Sequence, residues 1–215
     1  MMKRLFDLMV GGGVLIVAAT ILLIVALLLL FRRDGPVLFR LSRVGRQGKP
    51  FTLYKFRTMR PASGNTEKQI TVGADSRITP IGGVLRKTKL DELPQLWNVV
   101  CGEMSLVGPR PETPEFVANY PPQLRDIVLS VRPGITDPAS IKYRNESDLL
   151  AAVPDPVAYY EEVILPDKLR IAATYVNKRS ILGDLGIIVQ TLLVVIRPHT
   201  ASGTAPSPLN NESVK

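Results

Sequence analysis

The longest apolar segment of the chain lies close to its first residue. Residues 9 to 31 carry no charged side chain and are almost wholly apolar. As an α-helix they extend roughly 34 Å at 1.5 Å per residue, enough to cross the hydrocarbon core of a bilayer. A cleaved signal peptide is the alternative, but no small-residue cleavage site precedes the basic residues that follow. The pattern therefore predicts a membrane helix within residues 1 to 34.

The charges around this segment leave its topology open. Lys3 and Arg4 precede the apolar residues, and Arg32 and Arg33 follow them. Positive residues favour the cytoplasmic side of a membrane. The pattern is compatible with a helix that enters and leaves on one face, and with a span whose C-terminal end is inside and whose other end is a short exposed tip.

Residues 35 to 198 show the patterns of a small mixed domain. Residues 37–41 and 51–57 are strand-like runs on either side of a glycine-rich segment, which predicts a β-hairpin. Prolines interrupt the later helical stretches. Helices are predicted over residues 81–90 and 91–100, over parts of 115–131 and 154–165, and over 166–179. The expected fold class is a helix-rich α/β (α+β) catalytic core.

Three further segments complete the predicted organisation. Residues 61–71 are polar and predict a loop. Residues 185–196 form a second apolar run that is too short to span a bilayer, so it is either a buried core helix or a helix in the membrane interface. Residues 199–215 are rich in Ser, Pro, Asn and Thr and predict a disordered tail.

Composition and charge narrow the class of partner. The net charge is +8, and one cysteine and one histidine exclude an internal disulfide and a Cys/His metal site. Basic residues crowd directly after the apolar segment, where a single acid, Asp34, accompanies them: Arg32, Arg33, Arg40, Arg43, Arg46, Lys49, Lys55, Arg57 and Arg60. Beside a membrane segment, such a patch favours anionic lipid headgroups or phosphorylated substrates over nucleic acid.

The strongest candidate for chemistry is the adjacent pair Asp91 and Glu92. Pro94 places this pair at or near a helix N-terminus, where exposed backbone N–H groups favour anions. On its own the pattern is also that of a helix cap. Charge around it favours catalysis, because Arg110 is fixed between two prolines in a manner suited to bidentate phosphate binding, and three cations precede the pair: Arg86, Lys87 and Lys89.

Several motifs together resemble one known family, the bacterial monotopic phosphoglycosyl transferases, also called bacterial sugar transferases. The resemblance extends from the first residues to about Asn145. The motifs that carry it are Lys3-Arg4 with Phe6-Asp7, Gly35-Pro36-Val37, Arg43-Val44-Gly45, residues 54–59, Arg77-Ile78-Thr79, residues 90–98, residues 104–111 and residues 132–136. None of them is specific alone.

The resemblance implies a reaction and a set of site residues. Members transfer a sugar-1-phosphate from a UDP-sugar to a polyprenyl (undecaprenyl) phosphate and release UMP. They do so through a covalent phosphosugar-aspartyl intermediate and use Mg²⁺. Carried over by motif, Asp91 is the nucleophile and the metal ligand, and Glu92 is its catalytic partner. The implied phosphate- and substrate-binding residues are Lys55, Arg57, Arg77, Arg86 and Arg110.

The resemblance also implies a location and an architecture. A re-entrant N-terminal helix hairpin enters the inner membrane, the catalytic core lies on the cytoplasmic face, and amphipathic helices lie in the interface. Two segments depart from the family pattern. Ala19-Thr20 stands where many members carry a helix-breaking Ser-Pro pair, and residues 137–144 replace a frequent Gly-Trp-Ala-Gln type sequence. The identity of the sugar and the pathway stay open, as does the question of a homo-oligomer.

Two other functions compete with this one. A membrane-anchored glycosyltransferase would make a lipid monophosphosugar and release a nucleoside diphosphate, but the chain has no Asp-x-Asp metal motif of the usual kind. A non-enzymatic membrane-anchored protein would use the basic patch to bind lipid or nucleic acid, with Asp91 and Glu92 as helix caps. The nucleotide that is released distinguishes these functions.

Overall fold

The apolar N-terminal segment forms one continuous helix, α1 (Met2–Phe31), in the computed structural model of the protein. The structure describes residues 2–32, 35–60, 72–73 and 75–196. The 30 residues of α1 correspond to about 45 Å of helix. Within the described residues, α1 is the one helix long and apolar enough to cross a membrane. The loop predicted over residues 61–71 and the tail predicted over 199–215 lie outside the described residues.

The rest of the described chain is helix-rich, with two small sheets. The strands are β1 (Leu38–Val44), β2 (Pro50–Phe56), β3 (Ser105–Val107) and β4 (Gly134–Thr136), and short 3-10 turns cover Arg46–Gly48 and Leu90–Glu92. The helices are α2 (Pro80–Thr88), α3 (Gln95–Cys101), α4 (Pro114–Ala118), α5 (Pro122–Leu129), α6 (Pro138–Lys142), α7 (Glu146–Ala151), α8 (Pro156–Tyr159), α9 (Leu165–Lys178) and α10 (Ile181–Ile196), with a π-helical turn over Tyr160–Ile164. The predicted helix-rich core with small sheets is confirmed.

The predicted hairpin is strands β1 and β2. They pair antiparallel from Leu38 opposite Phe56 to Val44 opposite Pro50. Gln47 lies in the turn with a left-handed backbone (φ 59°), and the Gly45 N–H donates to the Lys49 carbonyl at 2.8 Å to close the turn. This register places Lys55 near the end of β2.

The second sheet is a short parallel pair. Ser105 lies opposite Gly134, and Val107 opposite Thr136. A Cβ on Gly134 would lie 2.1 Å from the Gly108 nitrogen, so only glycine permits this approach of the two backbones. The strand β3 leads directly into Gly108-Pro109-Arg110, and the close packing therefore fixes the start of the loop that carries Arg110.

Helix α1 packs against the rest of the core near both of its ends. Its buried residues form one stripe along the helix: Asp7, Gly11, Ala18, Val25 and Leu29. Near the N-terminal end, Phe6, Val10 and Leu15 pack against the cluster that contains Val99 and Leu106. Near the C-terminal end, Val25 and Leu29 belong to the cluster of Phe56 and Leu85. The opposite, apolar face of α1 is exposed.

An ion-pair network fixes the N-terminal end of α1. The Lys3 ammonium lies 2.6 Å from Asp184 and 3.1 Å from Asp7, and both carboxylates are buried. The Ser105 hydroxyl donates to Asp7 at 2.8 Å, and the Tyr175 hydroxyl donates to Asp184 at 2.7 Å. Buried carboxylates are stable only with such partners. The network therefore joins α1 to α10, β3 and α9.

Helix α10 begins four residues before the predicted apolar run and is not a buried core helix. Its one buried residue in the described range is Asp184, while Ile187 and Ile188 pack partly against the core. Its other face exposes large apolar side chains: Leu182, Leu185, Val189, Leu192, Leu193 and Ile196. The structure thus contradicts the core alternative, and a place in the membrane interface stays a prediction.

Replacing Asp7 is expected to destabilise the protein. Asp7→Ala leaves the Leu106 N–H, which donates to Asp7, without an acceptor in a buried region, and it removes one of the two carboxylates that pair with Lys3. The Ser105 hydroxyl, which also donates to Asp7, keeps the Val107 carbonyl at 2.9 Å as an acceptor. One unpaired buried donor of this kind costs about 1 to 3 kcal/mol, which corresponds to a fall in Tm of roughly 2 to 12 °C for a chain of this size. Thermal unfolding in detergent micelles measures it. Asp126→Ala, at an exposed position on α5, is the control, and an equal effect of the two substitutions would contradict the role of the network.

Candidate active site

Asp91 and Glu92 lie on a tight turn between two helices. Lys89 has a left-handed backbone (φ 57°) that ends α2 and begins the turn Leu90–Glu92. The Leu93 N–H donates to the Leu90 carbonyl at 3.3 Å, and Pro94 is the N-cap of α3. The predicted position at a helix start is confirmed. Neither carboxylate makes a side-chain cap bond to this turn or to α3, so capping does not explain the pair.

The two adjacent carboxylates are both buried, with exposed fractions of 7% for Asp91 and 8% for Glu92. A buried carboxylate is costly unless cations or hydrogen-bond donors compensate it. The structure supplies cationic partners to Glu92 but not to Asp91.

Glu92 is fully paired. The Lys55 ammonium lies 2.8 Å from Oε1 of Glu92, and the Arg110 guanidinium donates to Oε1 at 2.8 Å and to Oε2 at 3.4 Å. Burial alone would raise the pKa of Glu92, but the charges of Arg110 and Lys55 outweigh it and hold the pKa well below its usual range. Three predicted residues from separate segments therefore meet at one ion-pair cluster.

Within the part of the chain that the structure describes, no cation contacts Asp91 in this way. Its Oδ1 atom is buried and has no hydrogen-bond partner among the described residues. Burial raises the pKa of Asp91, while the charges of Lys55, Lys89 and Arg86 act to lower it. Asp91 is therefore a desolvated carboxylate within the field of several cations, with one oxygen that the protein leaves unpaired.

Arg86 lies close enough to Asp91 to lower its pKa and is held by the end of the hairpin. Its Nε donates to the Thr58 hydroxyl at 3.0 Å. A Cβ on Gly82 would lie 1.9 Å from the Thr58 carbonyl oxygen, so glycine is required for α2 to approach the backbone after β2 this closely. That approach places Arg86 beside Thr58.

The other two predicted substrate-binding arginines have different surroundings. Arg57 is 4% exposed, and its guanidinium donates to the Pro36 carbonyl at 2.9 Å and to the Leu29 carbonyl at 3.3 Å. Arg77 forms a bidentate pair with Asp75, at 2.6 Å for the shortest contact. These contacts do not involve Asp91 or Glu92. Arg57 connects the end of α1 to the core, and a role of either residue in substrate binding stays a prediction.

Two buried polar residues of α3 were not predicted. Asn98 is fully buried, donates to the Thr52 carbonyl and to Glu103, each at 2.7 Å, and accepts from the Tyr54 N–H at 3.3 Å. Gln95 is 2% exposed. With Asp91 these residues recur at positions i, i+4 and i+7, a spacing that marks one helix face. That spacing is the sequence signal that could have identified them.

A magnesium ion fits at Asp91 only if the substrate phosphates supply other ligands to it. The described part of the chain holds no cluster of three or more His, Cys, Asp or Glu side chains that could bind a metal. Mg²⁺ is commonly bound by one or two carboxylates together with substrate phosphates and water. Asp91, with its unpaired Oδ1, suits that arrangement, whereas the oxygens of Glu92 already bind Lys55 and Arg110.

The pairing of Glu92 predicts an acid-dependent loss of stability. Because the pKa of Glu92 is lowered in the folded protein, its pairing stabilises the fold above the pKa of the unfolded chain, about 4.5. That stability is lost as the pH falls through the lower folded pKa. Glu92→Gln should lack this component, so its Tm should depend less steeply on pH below about 4.5. Parallel pH profiles of the wild type and Glu92→Gln would contradict the prediction.

The chain is similar in sequence to known proteins over most of its length. The family described as "Bacterial sugar transferase" matches residues 1–198. The chain is 35% identical over 181 residues to the undecaprenyl-phosphate galactose phosphotransferase of Salmonella typhimurium, covering 77% of this chain and 34% of that protein. It is 38% identical over 162 residues to a UDP-glucose:undecaprenyl-phosphate glucose-1-phosphate transferase of Klebsiella pneumoniae, covering 74% of this chain and 35% of that protein.

A third relative transfers a different sugar. The UDP-N-acetylgalactosamine-undecaprenyl-phosphate N-acetylgalactosaminephosphotransferase of Aeromonas hydrophila is 40% identical over 116 residues, covering 53% of this chain and 27% of that protein. The chain thus spans about a third of the length of the curated relatives it matches. The family match over residues 1–198 confirms the resemblance found in the motifs, and the chain belongs to the bacterial sugar transferase family.

Proposed function

We propose that this chain transfers a sugar-1-phosphate from a UDP-sugar to undecaprenyl phosphate and releases UMP. The observation that carries the proposal is Asp91, a buried carboxylate with an unpaired oxygen in a cationic site on a core that packs against an apolar helix. The names of three relatives specify undecaprenyl phosphate as acceptor and either glucose, galactose or N-acetylgalactosamine as the transferred group. The sugar itself is left open.

The charges of the site suit a diphosphate substrate. The donor diphosphate would repel an attacking carboxylate, so cations have to neutralise it during in-line attack. Lys55 and Arg110 are fixed by Glu92, and Arg86 by Thr58, so their charges are in place before substrate arrives. Preorganised charge of this kind stabilises a phosphoryl-transfer transition state without reorganisation of the site. A Mg²⁺ ion, when bound, would add positive charge on the same phosphates.

The reaction takes place in two displacements at one phosphorus atom. An oxygen of the Asp91 carboxylate attacks the phosphorus that bears the sugar, and the bond from that phosphorus to the oxygen of UMP breaks, so that UMP leaves with the electron pair. The product is an acyl phosphate, a mixed anhydride between the Asp91 carboxylate and the sugar-1-phosphate. An oxygen of undecaprenyl phosphate then attacks the same phosphorus, and the bond from that phosphorus to the Asp91 oxygen breaks, which restores the carboxylate. Glu92 stays ionised and positions Lys55 and Arg110.

Helix α1 is one continuous helix, and we further propose that it is re-entrant in the sense that both of its ends lie on one face of the membrane, with the core on the cytoplasmic face of the inner membrane. A straight span would carry one end of the helix about 30 Å or more from the core, yet both ends of α1 contact it, through Lys3 and Asp7 at one end and Leu29 at the other. The exposed apolar faces of α1 and α10 would lie in lipid and in its interface. A core held at the membrane surface in this way can bind the soluble donor beside an acceptor that cannot leave the bilayer.

Removing the nucleophile should abolish the reaction. Asp91→Asn keeps the shape of the side chain but cannot attack phosphorus, so release of UMP from a panel of UDP-sugars with undecaprenyl phosphate should fall to background. Wild-type enzyme mixed with sugar-labelled donor, without acceptor, should give a phosphosugar adduct on the peptide that contains Asp91, detected by mass spectrometry after quenching.

The control for this experiment is Asp126→Asn, which changes an exposed carboxylate on α5 and should leave both readouts unchanged. A wild type without adduct, together with turnover by Asp91→Asn, would refute the covalent mechanism. Release of UDP in place of UMP would identify the competing glycosyltransferase.

Single cysteines test the proposed topology. Cys101 is the chain's one cysteine and is exposed, so the background is Cys101→Ser. Met2→Cys, at an exposed position, should react with a membrane-impermeant thiol reagent only after intact cells are permeabilised. Leu192→Cys on the exposed face of α10 should resist the aqueous reagent until detergent is added.

The opposite results would be equally clear. Labelling of Met2→Cys from outside intact cells would mean that α1 spans the membrane. Rapid labelling of Leu192→Cys in permeabilised cells without detergent would place α10 in water.

A further inference from the structure

The turn Leu90–Glu92, which we call the catalytic turn, and helix α3 together bury four polar side chains. Asp91, Glu92, Gln95 and Asn98 are exposed by 7%, 8%, 2% and 0%. Polar groups this deeply buried are almost always hydrogen-bonded, and each exception requires an explanation. The four residues form two groups: those whose hydrogen-bond partners come from the protein, and those that keep a buried atom without such a partner.

Glu92 and Asn98 have partners within the protein. Glu92 binds Lys55 and Arg110, and both amide hydrogen-bonding atoms of Asn98 are used in contacts with the hairpin and Glu103. These two residues hold α3 against β2. Their burial is explained by the fold alone.

Gln95 and Asp91 each keep a buried atom without a partner. Nε2 of Gln95 and Oδ1 of Asp91 lack a hydrogen-bond partner in the described part of the chain. Leu93 and Pro94 both have right-handed helical backbones, and the Leu96 N–H donates to the Leu93 carbonyl at 3.0 Å. Asp91 and Gln95 are therefore about one helical turn apart and neighbours on the helix surface.

An unpaired buried amide lowers the stability of the fold, and an apolar side chain of similar shape would avoid this loss. Position 95 lies on the face that also buries Leu96 and Val99, where a methionine would pack without any unpaired donor. The fold does not need the Gln95 amide, and Oδ1 of the neighbouring Asp91 has no partner among the described residues. Together these two features indicate that the substrate supplies the missing hydrogen-bond partner of Gln95.

We propose that Gln95 is a further catalytic residue, whose carboxamide N–H donates to a non-bridging oxygen of the phosphoryl group during its transfer to Asp91. The proposal rests on the proposed function, in which Asp91 attacks the phosphorus. Gln95 is neutral and exchanges no proton; it orients the phosphoryl group and stabilises negative charge on its oxygens. The positive charge of the site comes from Lys55, Arg86 and Arg110, and the Gln95 hydrogen bond fixes the orientation of the phosphoryl group.

The test compares two buried amides in the same helix. Gln95→Met removes an unpaired donor, so its Tm should equal or exceed that of the wild type. Its rate of phosphosugar-adduct formation in a single turnover should fall about 10- to 100-fold, because a hydrogen bond to a charged group is lost. The KM for the UDP-sugar should change much less than kcat, since the contact strengthens during phosphoryl transfer.

Asn98→Leu is the matched control. It removes bonds that the fold uses, so it should lower Tm clearly, and failure to fold would be the extreme of that same result. Gln95→Glu keeps the shape of the side chain but adds negative charge, and should slow adduct formation more than Gln95→Met does.

Two results would overturn the inference: a fall in Tm for Gln95→Met comparable to that for Asn98→Leu, or adduct formation at the wild-type rate. Failure of the proposed function is a separate outcome, namely a wild type that forms no adduct. In that case Gln95 is judged by UMP release, and a Gln95→Met enzyme with normal release would refute its role.

Discussion

The site depends on burying the charge of Glu92 beneath two cations. Lys55 comes from β2 and Arg110 from the loop after β3, and both reach the same oxygen of Glu92 at 2.8 Å. A buried carboxylate that lost one of these partners would be strongly destabilising. The ion-pair cluster therefore requires the hairpin, the parallel strands and the turn before α3 to take one relative position. Asp91 is the neighbour of Glu92 in the chain, so the same constraint places Asp91 among the cations.

A second constraint joins this core to its apolar helix. Asp7 and Asp184 are buried and share the ammonium of Lys3, and Arg57 binds the carbonyl of Leu29 at the other end of α1. Helix α1 is thus an element of the core as well as an anchor, because its buried stripe completes clusters that contain Val99 and Phe56. Membrane attachment and the geometry of the catalytic turn are consequently parts of one folded unit.

Local patterns predicted the local elements well. The hairpin followed from two strand-like runs around glycine, and the start of the catalytic turn followed from Asp91 and Pro94. The partners of individual side chains could not be predicted from the sequence. No local pattern distinguishes Arg57, which binds carbonyls in the core, from Arg110, which binds Glu92. Both are arginines beside turns, and only the folded chain decides where each guanidinium lies. For the same reason, the sequence could not show that α10 buries Asp184 and exposes its leucines.

Adjacent carboxylates with unlike environments explain how one dipeptide can serve two roles. Paired cations lower the pKa of Glu92, whereas burial raises that of Asp91. Environments that separate two neighbouring pKa values are the usual way in which a site assigns different tasks to identical groups. A carboxylate held in ion pairs is a poor nucleophile because its lone pairs are engaged, so Glu92 is suited to fixing cations. Asp91 keeps an oxygen without a partner among the described residues, within the field of the cations, and the proposed attack on phosphorus requires such an unengaged oxygen.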